Sequence, residues 1–370
     1  MGELMKFTCE RSILLKEIAI ANEIIASKNV ISILSNIYLE AGEGSLTIKA
    51  TDMKVNFETT VPVDVVEAGS VTVYGDKFSG ILSSIPDGEI EVSETDSKIN
   101  IKTMVRKARF QLKSIASDKF PEFSAAGTKF FQIPVRDLKD MIQETIFAIS
   151  DDETRYFMNG VFFEKAENKF TMVATDGRRL ACISKDAEAA VEDFAGIIIP
   201  PKILSIVMKR AGDEGMAEIS VTDKTVFIHF GSYKLSSVLI EGQFPNYRRV
   251  IPDDQVNHFS VNRLEMLDAL RRVSLLVEQK SHRVYLGLAP GAVSVYCEEN
   301  DLGNAREEIP CKYDGEELSI ALNYRYLEEP LKVISADEIS IHFNDPNKTI
   351  TIKPVPEKDF FHIAMPMQQE

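Results

Sequence analysis

The sequence predicts an α+β chain of three similar domains. Two observations carry this: a strand-to-helix unit recurs at almost constant spacing, and each recurrence closes on a pair of alternating apolar strands. Phe7, Phe131 and Phe259 each open a short strand-like segment that leads into a helix-like one, at intervals of 124 and 128 residues. Internal repeats of this kind mark one structural unit used several times.

Within each unit the elements follow in order. Apolar residues recur at i, i+4, i+7 and i+11, the signature of one buried helix face. The three sets are Leu14, Ile18, Ala21 and Ile25; then Leu138, Ile142, Thr145 and Ile149; then Met266, Leu270, Val273 and Val277. Next, Ser45-Leu-Thr-Ile-Lys-Ala-Thr-Asp52 matches Lys169-Phe-Thr-Met-Val-Ala-Thr-Asp176, with a weaker echo from Ala292 to Asp301. A second short helix follows in each unit, so the six predicted helical segments are 11–28, 77–86, 136–149, 202–211, 263–277 and 325–334. The closing strand pairs show a period of two: Ile90/Val92 with Ile99/Ile101, Ile219/Val221 with Val226/Ile228, and Ile339/Ile341 with Ile350/Ile352. Asp96-Ser97, Asp223-Lys224 and Asp345-Pro346-Asn347 supply turn residues between them. The first two units end alike, in Phe120-Pro-Glu-Phe123 and Phe244-Pro-Asn-Tyr247, which sets the expected domains at 1–127, 128–255 and 256–370.

Composition narrows the function classes. The 370 residues are 44% hydrophobic and 27% charged, enough apolar content for packed cores. No apolar run approaches the roughly 18–20 residues of a membrane span, and no basic-then-apolar leader opens the chain, so a cytoplasmic protein is expected. Whether Met1 or Met5 is the start stays open. Cys9, Cys182, Cys297 and Cys311 have neither zinc-ligand nor disulfide spacing, and His229, His258, His282, His342 and His362 form no ligand motif. No metal or cofactor is implied. Phosphate loops, dinucleotide fingerprints and nucleophile elbows do not occur. The acidic pairs Asp151-Asp152 and Glu298-Glu299 read as solvated loops, and nothing in the sequence supports catalysis.

Charge points elsewhere. The net charge is -15, with a pI near 5.0, which on average disfavours nucleic acid. The six helical segments, however, hold 14 basic and 9 acidic residues, a net of +5 that leaves -20 for everything else. If the helices share a surface, that surface is positive on an acidic protein and favours a polyanion; helices merely solvated by lysine fit the same count. Lys202, Lys209 and Arg210, on a segment without acid, contribute most clearly.

Four motifs in order then carry a family resemblance: Arg155-Tyr-Phe-Met-Asn-Gly160, Ala174-Thr-Asp-Gly-Arg-Arg-Leu-Ala181, Phe244-Pro-Asn-Tyr-Arg-Arg-Val250 and Met365-Pro-Met367. From Met5-Lys-Phe-Thr8 to that last motif, the chain resembles the bacterial DNA polymerase sliding clamps, the beta subunit of DNA polymerase III holoenzyme. The resemblance implies the DNA clamp fold: a ring-shaped head-to-tail homodimer of three-domain protomers, with helices lining a central channel and antiparallel sheets outside. It implies a non-catalytic processivity factor that encircles double-stranded DNA without sequence preference. Through a cleft, such a ring tethers the replicative polymerase subunit, the clamp loader, other polymerases and repair proteins by short Gln-and-hydrophobic peptides. DNA contacts implied in this way are Lys28, Lys77, Arg155, Tyr156, Phe157, Lys202 and Lys209. Asp152 stands where a glutamine is familiar, and Pro201 and Asp140 where basic residues are. The implied peptide cleft comprises Met158, Thr175, Gly177, Arg179, Leu180, Pro245, Arg249, Val250, Tyr326, Ile363, Met365, Pro366 and Met367; these residues also fit a domain-junction core. The tail Gln368-Gln369-Glu370 departs from the usual basic or apolar ending. The implied ring seam joins Phe110 and Leu112 to Leu275 and Leu276 of a second protomer, though all four also fit intradomain packing. Two further readings stay open: a triplicated peptide-binding scaffold that never encircles DNA, and an enzyme with a site at the Thr175-Asp176-Gly177 turn.

Overall fold

The computed structural model describes residues 5–25, 32–105, 107–127, 129–188 and 191–368. These form two compact units, one of residues 1–136 and 202–239 and the other of 137–201 and 240–370. Each unit is built on one antiparallel sheet system, of 13 strands in the first and 12 in the second.

The helices are α1 (Arg11–Ile24), α2 (Gly75–Ser84), α3 (Val135–Gln143), α4 (Pro201–Arg210), α5 (Arg263–Val273) and α6 (Tyr324–Val333). The repeat positions lie on the buried faces: Leu14, Ile18 and Ala21 on α1, Leu138 and Ile142 on α3, and Met266, Leu270 and Val273 on α5. The first helix of each repeat is shorter than its periodicity suggests. α1 stops at Ile24, with Ile25 extended as its C-cap, so Ile24 takes the buried place. α3 stops at Gln143, and Thr145 is buried with its hydroxyl donating to the Met141 carbonyl at 2.6 Å. Both α3 and α5 are continued by a 3-10 turn, Ile146–Ala148 and Ser274–Leu276, which keeps an apolar face without α geometry. Asn262 and Asn323 cap α5 and α6, accepting from the backbone N–H of Glu265 and Arg325. Pro201 opens α4 at a position where its missing N–H costs nothing. Among the described residues, no helix is long and apolar enough to cross a membrane.

The closing strand pairs have the expected register, with Val92 opposite Ile101, Ile219 opposite Ile228 and Ile341 opposite Ile352. All six side chains are buried. The Asp96-Ser97 turn holds both residues at positive φ, 53° and 58°, as a two-residue hairpin turn requires. Glu298-Glu299 corrects the loop expectation: the pair is exposed at the end of strand Ala292–Asn300, because the strand runs on past its last buried residue, Cys297.

The strands of the second repeat are shared between the two sheets. In the first unit, Tyr233–Val238 pairs with Val55–Pro62, with Ser237 opposite Val55. In the second, Phe360–Ala364 pairs with Arg179–Asp186, with Ala364 opposite Arg179. These are equivalent pairings, since Val55 and Arg179 differ by the repeat length of 124.

Candidate functional site

The turn that follows the duplicated Thr-Asp sequence is built twice in the same way. At the first copy, Asp52 Oδ1 accepts from the N–H groups of Lys54 (2.9 Å) and Val55 (2.7 Å), and Thr51 Oγ1 accepts from that of Met53 (2.9 Å). At the second, Asp176 Oδ1 accepts from Arg178 (2.8 Å) and Arg179 (3.1 Å), and Thr175 Oγ1 from Gly177 (3.0 Å). Even the outgoing strand docks alike, Val238 donating to the Lys54 carbonyl and Met365 to that of Arg178, both at 2.9 Å. The side chains that follow the Thr-Asp pair differ, Met53-Lys-Val-Asn56 against Gly177-Arg-Arg-Leu180. Asn56 fills the first with hydrogen bonds to Thr51 (2.6 Å) and Ser236 (3.0 Å), whereas the second has the apolar Leu180.

Beside the second turn lies an apolar cavity of about 290 Å³. Nine expected residues line it: Met158, Thr175, Gly177, Arg179, Leu180, Pro245, Val250, Ile363 and Met365. Tyr326, Pro366 and Met367, expected with them, line instead an adjoining cavity of about 600 Å³ that shares Arg178 and Met365 with the first. Arg249 lies outside both linings and is exposed. Its segment, Tyr247–Val250, is a 3-10 turn, whose three-residue period turns positions 247 and 250 to one side and leaves 249 off it. The sequence reading missed Arg178, Asn246, Tyr247 and Thr349. The first three lie inside the quoted motifs, which is the signal that could have found them. Thr349 has none, because it arrives through the pairing of Ile350 opposite Ala364.

Buried polar groups hold the cavity open. Glu164, buried beneath it, accepts from the Tyr247 hydroxyl at 2.7 Å and from Arg248, fixing the 247–250 turn. Burial and the Glu164 hydrogen bond push the Tyr247 hydroxyl pKa up, so it remains a donor. Arg179 binds the Asp176 carboxylate (3.0 Å), Glu329 and the Phe147 carbonyl (2.7 Å), with its guanidinium 5.0 Å from the Tyr326 ring centre. Gly177 has φ +89°, a backbone conformation that favours glycine, although Met53 takes φ 72° at the equivalent place of the first copy; a Cβ there would meet only the end of the flexible Arg155 side chain, at 2.8 Å.

Arg155, Tyr156 and Phe157 share the 3-10 segment Glu153–Met158. Asp152 caps it, accepting from the Thr154 N–H at 2.9 Å, and holds the Arg155 Nε at 2.9 Å. The aspartate therefore has a local structural role. Tyr156 is exposed, whereas Phe157 packs on the cluster that includes Leu180, Phe244 and Ile363. Asp140, like Asp137, pairs with Lys185 at 3.1 Å.

In the first unit, Lys77 is exposed on α2, 3.6 Å from Asp76. Lys202 and Lys209 are already engaged: Lys202 with Asp52 and the Ile24 carbonyl, both at 2.6 Å, and Lys209 with Glu23 at 2.5 Å. Burial works against the Asp52 carboxylate, but hydrogen bonds from Lys202, Val55 and Lys54 outweigh it and hold its pKa below the ordinary value. A helix-by-helix charge count overstates free positive charge, because some partner acids lie outside the helices: Asp52 for Lys202, and Glu307 for Arg272 at 2.6 Å. Lys28 lies outside the described residues. Of the seam residues, Leu275 is 76% exposed, while Phe110, Leu112 and Leu276 are half-buried.

His362 sits under the cavity on strand Phe360–Ala364, fully buried, its ring 5.7 Å from that of Phe147. Neither ring nitrogen makes a hydrogen bond of good geometry. Burial, aided by the positive charge of Arg179, lowers its pKa to about 3, and an approach to the Tyr326 backbone offsets this only in part. The unfolded chain takes up this proton near pH 6.5 and the folded one does not. Stability is therefore level above pH 6.5 with respect to this group, falls as pH drops below it, and stops falling near pH 3. At about 1.4 kcal/mol per pH unit, the loss at pH 5 is about 2 kcal/mol. His362→Phe is expected to remove that part of the slope in urea unfolding measured from pH 7.5 to 5; an unchanged slope would mean that other groups set the acid limb.

Three family models match the chain in sequence: DNA polymerase III beta subunit N-terminal domain over residues 5–124, central domain over 132–246 and C-terminal domain over 248–368. A curated relative, the "Beta sliding clamp" of Treponema pallidum (strain Nichols), is 46% identical over 371 residues, covering 99% of this chain and 100% of that protein. The protein of the same description from Caulobacter vibrioides (strain NA1000 / CB15N) is 31% identical over 376 residues, covering 98% and 100%. Among solved structures, a DnaN sliding clamp from Pseudomonas aeruginosa bound to griselimycin superposes with a TM-score of 0.93 at 27% identity, covering 100% of both chains. One from Bartonella birtlesii, also bound to griselimycin, gives 0.92 at 30% identity, covering 99% and 100%.

Proposed function

Because the chain belongs to the DNA polymerase III beta subunit family, with all three family domains in tandem, we propose that it is a non-catalytic processivity factor. It encircles duplex DNA as a head-to-tail homodimeric ring in the cytoplasm. The single observation that carries the reading is this full-length match, joined to an apolar cleft at the place the family motifs mark. The domains are divided near residues 127 and 255.

The ring seam pairs Phe110 and Leu112 with Leu275 and Leu276 of a second copy. Leu275 is 76% exposed, apolar surface that a second copy would cover. Phe110 and Leu112 lie on strand Arg109–Ala116, whose residues 109–113 pair, among the described residues, with Lys98–Thr103 alone. That leaves an open backbone edge for a partner.

Contacts to DNA come from Lys28, Lys77, Arg155, Tyr156, Phe157, Lys202 and Lys209, and they are weak by design. Lysines already shared with Asp52 and Glu23 make poor phosphate clamps, and a tether that slides needs sequence-blind contacts that release easily. The cleft takes short Gln-and-hydrophobic peptides from the replicative polymerase, the clamp loader, other polymerases and repair proteins. Adaptable Met158 and Met365 side chains suit varied sequences.

The test is topological. Protein loaded on nicked circular plasmid by a loader-containing extract is isolated with the DNA, and the circle is then cut once. Retention on circles and loss after linearisation is expected. Equal retention on both forms would mean ordinary DNA binding, and absence from both despite an active loader would favour a peptide-binding scaffold.

A further inference from the structure

Among the described residues, the exposed methionines are Met53, Met104 and Met216 in the first unit and Met365 in the second. The second unit covers its others: Met141, Met158, Met172 and Met266 are buried, and Met367 is half-buried. Met365 is 50% exposed and lines both adjoining cavities, the apolar one of about 290 Å³ and its neighbour of about 600 Å³. Its backbone is pinned there. The Met365 N–H donates to the Arg178 carbonyl at 2.9 Å, and the Met367 N–H to the Ala321 carbonyl at 2.8 Å. The thioether therefore stays at the rim where the cavities meet, half in water and half against the apolar lining. The equivalent place of the first copy holds Val238, which carries no sulfur.

A thioether open to water is oxidised by peroxides, and one buried in a core is shielded from them. We propose that Met365 is an oxidation site that switches the cleft off: a peroxide converts its thioether to the sulfoxide, and partner peptides are released. This rests on the peptide-cleft reading above and adds a regulation to it. In the step, the sulfur lone pair attacks one peroxide oxygen and the S–O bond forms as the O–O bond breaks. The transferred oxygen gives its proton to the departing hydroxide, which leaves as water; sulfur loses two electrons and the peroxide gains them. The product puts a strongly polar oxygen where a peptide needs apolar contact. In the empty cleft that oxygen is satisfied by water or by the exposed Arg178, which lines both cavities with it. A seated peptide must cover it and strip that solvation, so the sulfoxide favours the empty state. Met158, buried in the wall of the same cavity, keeps its thioether, which confines the change to the rim. The change is also reversible, because reductases return a sulfoxide to the thioether.

The experiment uses the full chain, hydrogen peroxide and one fluorescent peptide with a Gln-and-hydrophobic anchor, read by anisotropy before and after treatment. Peptide-mass mapping of the same samples locates the added oxygen. Met365 should be oxidised while Met158 stays reduced, and the peptide's affinity should fall about tenfold. Methionine sulfoxide reductases A and B, supplied with a dithiol, should restore it. In Met365→Leu, treated and untreated protein should bind alike within about twofold, whereas Met53→Leu should lose affinity on treatment as the unsubstituted chain does. Unchanged affinity in a sample whose Met365 is oxidised would overturn the inference and leave the cleft reading standing. So would a Met365 that stays reduced while Met53 is oxidised. An equal loss in Met365→Leu would move the effect to another residue and also overturn it. If the untreated protein binds no peptide, the cleft reading itself fails and the inference with it.

Discussion

Leu275→Asp is expected to turn the ring into monomers and to abolish its retention on closed circular DNA. Leu275 is 76% exposed in the single chain, so an aspartate there disturbs no packing within the protomer and the thermal midpoint should hold. Against a second copy the same change forces a carboxylate into an apolar contact with no partner, which costs several kcal/mol. Weakening by about 100-fold or more in the dimer dissociation constant corresponds to about 3 kcal/mol. Sedimentation equilibrium reads this directly, and the plasmid assay reads its consequence, since an open ring cannot be held by topology. Phe110→Asp, on the opposite face of the seam, should reproduce it. A Leu275→Asp protein that keeps its dimeric mass would remove this residue from the seam.

Arg179→Ala should cost about 3 kcal/mol of local stability in the second unit and impair the cleft as well. The guanidinium is about 10% exposed and joins Asp176, Glu329 and the Phe147 carbonyl. Its removal leaves two carboxylates facing one another and a buried carbonyl without a donor, a loss larger than that of a surface ion pair. Glu329 is 31% exposed, so water recovers part of that cost, and the estimate sits at the low end for a broken buried pair. Because a chain of several domains need not unfold in one step, the measurement is hydrogen exchange at the amides of Arg179–Asp186 and Phe360–Ala364. Arg179→Lys keeps the charge but not the fork, and should recover less than half the loss. A cost below about 1 kcal/mol would show that the two acids need no counterion. Since the charge of Arg179 helps to lower the His362 pKa, Arg179→Ala should also make the loss of stability that His362 causes level off at a pH above 3.

Much of this architecture is written in periodicity. A helix shows one face every 3.6 residues and a strand every second, so Leu14, Ile18 and Ala21, or Val92 and Ile101, reveal the element, its buried side and its recurrence without coordinates. Element ends are less legible. Thr145 and Val277 continue the apolar spacing, but they lie beyond the ends of α3 and α5, where a 3-10 turn preserves burial just as well as another α turn would.

What the sequence determined by itself was therefore the three-fold repeat, the strand-and-helix content of each copy and the motifs that mark the cleft. These are local patterns, set by the geometry of short stretches of backbone. Only the tertiary structure decided which side chains face one another across the chain. It set Lys202 on Asp52, 150 positions away, removing that lysine from the free charge a count had credited to α4. It brought Thr349 to Met158, and it sent Tyr326, Pro366 and Met367 to a second, cationic cavity with Lys280. The reason is physical: burial and charge pairing depend on the distance between groups in space, and strand register joins residues whose separation in sequence carries no trace of that distance.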